Sequence, residues 1–387
     1  MESKTHYDKA ISISFNQDYS LFSMGTQNGF KIFNTYPFNQ GYEKNLSGGI
    51  AKCELSYRSN YYLALIGGGM SPKFSNKKVI LYNDEKDLIE SEFKFTTPVL
   101  NVKLKKFLIF IVCEKKIFVF NIETSQNIDS LETSTNKNGI IAINGDPEKT
   151  IMACPIDFNE NDSDKGYLSI KNYKNNKCFP FLAHDDKISY MVMDYYGLLL
   201  ATANEKGTLI RIHSCKDGTL LQECKRGKEK ARISYINFDI DYKYMGVSSD
   251  RKTIHIWKLD NIIEKKGKNT ISSSSDIKDA KIEKIQKRSK TIVESNINQE
   301  NDEIKVKDIK NYKTESSFSK VRMNDAECIF CFVPNNLMII ISLKGIYYKA
   351  KIDVKGGDCR IIFEKNIKEI RELQEINKKK EKEKEQK

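Results

Sequence analysis

The sequence predicts an all-β fold, a seven-bladed WD40-like β-propeller with a long disordered insertion in blade six. Three observations predict it. One short unit, a turn led by Lys, Arg, Asn or Gly that runs into a short apolar or β-branched strand, occurs seven times. Each copy follows another short apolar run. Successive copies start about 38 to 50 residues apart, except the last, which starts about 93 residues after its predecessor. A period near 40 built from short strands belongs to WD40-type blades, whereas a β-sandwich gives no seven-fold period.

The copies define the blades in order. The first is NGFKIFNT (Asn28–Thr35) after YSLFSMGTQ, and the second KKVILYND (Lys77–Asp84) after YYLALIGGG. KKIFVFNI (Lys115–Ile122) follows FLIFIVCEK, and KGYLSIKN (Lys165–Asn172) follows KTIMACP. KGTLIRIH (Lys206–His213) follows LLLATANEK, and RKTIHIWK (Arg251–Lys258) follows YKYMGVSSD. KGIYYKAK (Lys344–Lys351) follows NLMIIISLK and closes the series. Seven such blades need about 300 residues, so a propeller over residues 1–366 plus its insertion uses nearly the whole chain of 387.

The long last gap places the insertion at residues 261–317. Serine runs, Lys and Glu dominate it, and only single aliphatics interrupt them, a composition too polar to offset the entropy of ordering. One stretch, DIKDAKIEKIQKRSKTIVES, is better organised. At 100° per residue, Ile282, Ile285, Ile292 and Val293 share one helical face, with Lys and Arg over much of the rest and Asp276 placed to cap the start. Such a helix lies in a membrane interface or is a solvated linker, and the residues alone leave both open. Residues 367–387, with Ile367, Ile370, Leu373 and Ile376 at three-residue steps, predict a short exposed helix that frays into a charged tail.

Composition narrows the function. Nine scattered cysteines, with only Cys328 and Cys331 close together, read as buried free thiols, because zinc needs four ligands at matched spacing. Four histidines are too dispersed for a metal centre, so no metal or cofactor is expected. MESKTHYDKA has no apolar signal core, and no run reaches the ~18 apolar residues of a membrane span. The expectation is a reduced, cytoplasmic chain whose membrane contact is peripheral. P-loop, nucleophile-elbow and zincin patterns do not occur, so the chain is expected not to be an enzyme. Gly67, Gly68 and Gly69 lie at a strand end with no helix after them and read as a turn. The net charge of +12 suits nucleic acid, an anionic membrane surface or a Lys-rich codon usage. Nucleic acid is disfavoured, because aromatic–basic interleaving is missing.

The informative cluster lies between His184 and His255. Arg211, Lys225, Arg226 and Arg251 fall at the ends of neighbouring strands, among Thr202, Asn204, Thr208, Ser249 and Thr253. Cations offset phosphate charge while hydroxyls and amides supply directed hydrogen bonds. Lys225 and Arg226 are adjacent on an outer strand, so alternation sends them to opposite faces, where they serve two pockets. An exposed basic pair is the plainer alternative.

QECKRGKEKARISYINF resembles the signature of the PROPPIN family, β-propellers that bind polyphosphoinositides and carry the hallmark F/L-R-R-G. AHDDKISYMVMDYYGLLLATANEKGTLIRI and VSSDRKTIHIWKL are similar to the family's flanking strands, and the likeness runs in order from about residue 10 to 360. The resemblance implies two rim pockets for phosphatidylinositol 3-phosphate and 3,5-bisphosphate. The first uses His184, Asn204 (usually Ser), Thr208, Arg211 and Lys225. The second uses Arg226, Ser249, Arg251, Thr253 and His255. It also implies a membrane-inserting blade-six loop, which favours an interfacial role for Ile282, Ile285, Ile292 and Val293. A monomer on endomembranes, working with autophagy-related proteins, is the implied setting, with a protein-only scaffold as the rival. The chain departs from the hallmark at Lys225, where the first Arg is expected. Lysine lacks the planar fork, so the first pocket is weakened, by about 1 kcal/mol. Lys187 replaces the family's Pro, and Cys224 its Phe.

Overall fold

The computed structural model describes residues 10–57, 62–159, 163–264, 305–307 and 312–370. Blade one comprises β1 (Ala10–Phe15), β2 (Leu21–Thr26), β3 (Gly29–Asn34) and β4 (Asn39–Asn45). Blade two comprises β5 (Ile50–Leu55), β6 (Tyr62–Gly67), β7 (Lys78–Asn83) and β8 (Leu88–Lys94). Blade three is β9 (Asn101–Leu104), β10 (Leu108–Val112), β11 (Lys116–Asn121) and β12 (Asn127–Glu132). Blade four is β13 (Ala142–Ile143), β14 (Ile151–Pro155), β15 (Gly166–Asn172) and β16 (Lys177–His184). Blade five is β17 (Ile188–Met193), β18 (Leu199–Asn204), β19 (Leu209–Ser214) and β20 (Leu220–Lys225). Blade six begins with β21 (Ile233–Phe238), β22 (Tyr244–Ser249) and β23 (Thr253–Lys258). The insertion contributes β24 (Ile263–Glu264), β25 (Lys305–Val306) and β26 (Thr314–Ser316), after which β27 (Ser319–Arg322) completes blade six. Blade seven is β28 (Cys328–Val333), β29 (Leu337–Ser342), β30 (Ile346–Lys351) and β32 (Arg360–Asn366), with β31 (Gly357–Asp358) reaching back to β27.

The seven quoted copies are the third strands of the seven blades, and the apolar runs before them are the second strands. Both are covered on two sides by neighbouring blades, so they read as nearly unbroken apolar runs. β18 and β22 are buried along their whole length. The first strands surround a central cavity of about 620 Å³. Outer strands such as β12 and β32 alternate between exposed and half-buried positions, so their sequence signal is faint.

The ring closes without a shared sheet, because blades one and seven are each built from one contiguous stretch of chain. Phe22, Phe33 and Phe15 pack with Cys331, Ile339, Ile341 and Tyr347 across that seam. The Tyr347 hydroxyl donates to the Thr35 carbonyl at 2.8 Å, and Phe38 meets the Tyr347 ring edge-on at 4.9 Å.

Two expectations need correction. The strand pattern does not simply stop over residues 261–317. β24 pairs with β25, and β26 adds in parallel to the outer edge of β20. The cause is Glu315, on which three donors converge. Gln222 Nε2 and Asn261 Nδ2 donate to its carboxylate at 2.8 and 2.7 Å, and Trp257 Nε1 to its carbonyl at 3.2 Å. Likewise, residues 367–370 are helical but not wholly exposed. Ile367 is buried and Ile370 half-buried against the seam, because they continue the apolar face that β32 presents to blade one. Leu373 and Ile376, like Ile282, Ile285, Ile292 and Val293, lie outside the described residues.

Seven cysteines are buried, Cys178 is exposed and Cys359 half-buried, all as free thiols. Among the described residues no His, Cys, Asp or Glu group is arranged to hold a metal, and no helix is long and apolar enough to cross a membrane. The Gly67–Gly69 run ends β6 and enters a bend: Gly69 has φ +86°, and a Cβ on Gly67 would lie 1.8 Å from the Phe74 carbonyl oxygen.

Candidate functional site

Register arranges the first cluster. Thr202 lies opposite Arg211, and Arg211 opposite Glu223, so the three share one face of blade five. Asn204 and Lys225, each two residues farther along its strand, lie on that face too. His184, at the end of β16 in blade four, reaches across to it, with Nε2 3.0 Å from Thr202 Oγ1. Arg211 is already held: Nε donates to Glu223 Oε2 at 3.0 Å and Nη1 to the Ala183 carbonyl at 2.9 Å. Asn204 is committed to its turn, donating to Asp186 Oδ2 at 3.0 Å and accepting from the Gly207 N–H at 3.1 Å. Thr208 is half-buried, and its carbonyl accepts from the Arg226 N–H at 2.9 Å. Lys225 is exposed, with no ion pair among the described residues.

The second cluster lies on the neighbouring blade. Val247 stands opposite His255, His255 opposite Lys320, and Thr253 opposite Arg322. One face of blade six therefore carries Ser249, Thr253, His255, Lys320 and Arg322. Arg226 faces this cluster, and its charge, with that of Lys320, bears on His255. The Arg226 guanidinium is tucked in rather than extended. Nε donates to the Gly207 carbonyl at 2.6 Å, and Nη2 donates to the Glu229 carbonyl. Gly207 lets the linker after Glu229 pack against this turn: its φ is +59°, and a Cβ there would lie 2.0 Å from the Ala231 carbonyl oxygen. Arg251 leans toward the same linker, with Nη2 donating to the Lys230 carbonyl at 3.0 Å and 3.5 Å from Glu229 Oε2. Its N–H donates to buried Ser249 Oγ at 3.4 Å, and Thr253 Oγ1 donates to its carbonyl at 3.3 Å.

Nine of the ten residues proposed from the sequence thus lie at one end of blades five and six, and His184 reaches them from the end of β16 in blade four. Sequence reasoning missed three others. Glu223 orients Arg211, and a register drawn from QEC to LIRI would have found it. Lys320 and Arg322 lie beyond the insertion, on a strand of four residues too short to recognise alone.

β26 and the residue after it tie both clusters together. Thr314 Oγ1 donates to Glu223 Oε1 at 2.8 Å, on the Arg211 side. Ser317 Oγ lies 3.1 Å from His255 Nδ1, on the Arg226 side.

Burial and neighbouring cations hold three imidazoles neutral. The pKa of His184 is lowered to about 4 by burial and then by Arg211, and that of His255 to about 4 by burial, Lys320 and Arg226. That of His213 falls to about 3 through burial and then His184. Folded-state values lie below the ordinary value near 6.5, so the unfolded chain takes up protons first as pH falls. The stabilisation is full above about pH 7 and drains away as pH falls from about 6.5 toward 4. The urea midpoint is therefore expected to fall between pH 7.5 and 5.5, above the ordinary carboxylate range. A flat profile would mean that these imidazoles are protonated in the native state.

The PROPPIN family model matches residues 10–285. SVP1-like protein 2 of Pichia angusta is 28% identical over 268 residues, covering 66% of this chain and 71% of that protein. Autophagy-related protein 18e of Arabidopsis thaliana is 30% identical over 256 residues, covering 65% and 66%. SVP1-like protein 2 of Debaryomyces hansenii is 28% identical over 282 residues, covering 64% and 65%. The matches thus span about two thirds of these relatives' length. Solved structures share the fold. Kluyveromyces lactis Hsv2 has a TM-score of 0.68 at 16% identity, covering 93% of this chain and 99% of that one. A complex of KlAtg21 with the coiled-coil of AgAtg16 gives 0.66 at 19%, covering 92% and 99%.

Proposed function

The chain belongs to the PROPPIN family, and from that premise we propose that it is a non-catalytic effector of 3-phosphorylated inositol lipids. It binds phosphatidylinositol 3-phosphate, and also the 3,5-bisphosphate, on an endomembrane through the two clusters. The observation that carries the reading is the register around Lys225 and Arg226. One cation joins the blade-five face with Arg211 and His184, and the other faces the blade-six cluster of His255 and Lys320. Two modest sites on one rigid ring multiply on a membrane through effective concentration. The clusters are unequal. Lys225 lacks a fork and Arg211 is partly neutralised by Glu223, so the Arg226 side with Lys320 is the stronger. The names of the relatives, autophagy-related protein 18 among them, support a role in recruiting autophagy-related lipid-transfer or conjugation machinery. The coiled-coil complex of the structural neighbour supports a protein partner.

The deciding test is flotation with a panel of liposomes. Vesicles containing phosphatidylinositol 3-phosphate are expected to bind at least tenfold better than those containing the 4-phosphate or phosphatidylserine alone. Equal binding to all three would leave only non-specific charge attraction, and no binding to any would favour the protein-only scaffold.

The insertion adds an apolar contribution in this reading. Substituting Ile282, Ile285, Ile292 and Val293 by Ser is expected to weaken vesicle binding several-fold while leaving soluble head-group binding unchanged. This is cleaner than deleting residues 265–313, which would also remove β25. Unchanged flotation would make the segment a passive linker.

A further inference from the structure

A second cavity, of about 490 Å³, lies between blades four and five. It sits at the opposite end of their strands from the first cluster. Lys177 and His184 mark the two ends of β16, which at ~3.3 Å per residue are roughly 23 Å apart. Phe179, Leu198 and Val306 supply apolar wall, and the rim carries Lys149, Lys177 and Lys216. Among the described residues no Asp or Glu lines it.

None of the three lysines is ion-paired among the described residues. Lys149 Nζ donates only to the Tyr196 carbonyl, at 3.2 Å, and Lys177 Nζ lies 5.7 Å from the centre of the Phe179 ring. The adjacent carboxylates have other partners, although Asp217 still feels the Lys216 charge. Asp217 Oδ1 accepts from the Thr219 N–H at 3.0 Å, and Glu148 pairs with Lys106 at 2.8 Å. The insertion builds part of the wall. Val306 on β25 packs against the blade-five core, and Lys307 anchors it through its N–H to the Ile262 carbonyl at 3.0 Å.

We infer that this cavity is the docking site for an acidic peptide segment of a partner protein, carrying one large apolar side chain. The apolar wall takes that anchor and the three lysines take flanking carboxylates. A volume of this size is that of a ligand-sized pocket, and a buried anchor within a charged rim is how short segments gain affinity. Because the cavity is far from the lipid-binding clusters, peptide and membrane bind together without competing for side chains.

The test uses the full chain and fluorescent heptapeptides with a central Trp, Phe or Leu flanked by Glu. Matched peptides have Lys in place of Glu, or Ser in place of the anchor. At least one acidic, anchored peptide is expected to bind tenfold or more tighter than both of its matched controls. Lys177→Glu with Lys216→Glu, both at exposed positions, is expected to remove at least tenfold of that affinity and to leave phosphoinositide flotation intact. Conversely, Lys225→Thr with Arg226→Thr is expected to leave peptide binding unchanged, which separates this site from the lipid reading. The inference is overturned if no acidic peptide outbinds its controls, or if the charge-reversed protein binds peptide as before. It is also overturned if charge reversal instead abolishes binding to plain phosphatidylserine vesicles, since the face would then be a membrane contact.

Discussion

Replacing Lys225 and Arg226 together by Thr is expected to abolish flotation with phosphatidylinositol 3-phosphate vesicles, a loss of at least about a hundredfold. In the proposed reading each cation gives its own pocket a charged hydrogen bond worth about 1.5–3 kcal/mol, and losing both also removes the avidity of paired sites, about 10²–10⁴. The single changes are unequal. Lys225 has no ion pair among the described residues, so Lys225→Thr is expected to leave thermal stability unchanged and to weaken binding alone. Arg226 donates to the Gly207 and Glu229 carbonyls, so Arg226→Thr also loosens the linker between blades five and six, costing about 1–2 kcal/mol. Lys225→Arg is expected to tighten vesicle binding modestly, and Arg226→Lys to weaken it. Retained flotation in a folded double variant would sink the two-pocket reading.

The largest effect on stability is expected at Asp194, far from either cluster. Its buried carboxylate accepts from the Leu198 and Leu199 N–H groups, both at 2.6 Å, and from the Tyr196 N–H at 2.9 Å. It also accepts from the Tyr242 hydroxyl of blade six. Burial raises its pKa and these bonds oppose the rise. Asp194→Ala strands three N–H groups and a phenol, at a cost of about 3–5 kcal/mol, or roughly 5–10 °C in the thermal midpoint. Asp194→Asn is expected to recover part of it. Below the unfolding range, vesicle binding should persist in both, because the site lies at the other end of the blade. A midpoint unchanged in Asp194→Ala would mean that water replaces the carboxylate.

What the sequence made legible follows burial. The second and third strands of every blade are enclosed between neighbours, so selection for apolar side chains writes them plainly. Leu199–Asn204 and Tyr244–Ser249 are examples. Outer strands face solvent on one side, and Ser319–Arg322 is both short and separated from its blade by the insertion. That is why Lys320 stayed hidden while His255, its cross-strand neighbour, did not. The clusters were legible through CKRG and the residues around it, but charge pattern alone could not show that Arg226 is bound to backbone carbonyls. Nor could it show that Glu223 holds Arg211. Both facts depend on register and on a glycine turn that lets the linker approach.

The seam between blades one and seven has a consequence for synthesis. Among the described residues no amino-terminal strand waits for the last blade, so blades one to five and blade seven can each pair their own four strands as they leave the ribosome, with β26 adding to the edge of blade five later. Blade six cannot. Its third strand ends at Lys258 and its fourth begins at Ser319, an interval that takes about 3–12 s to translate at 5–20 residues per second. During that pause the edge of β23 stands open in a nascent chain. That open edge gives chaperone engagement or mispairing time to compete with folding.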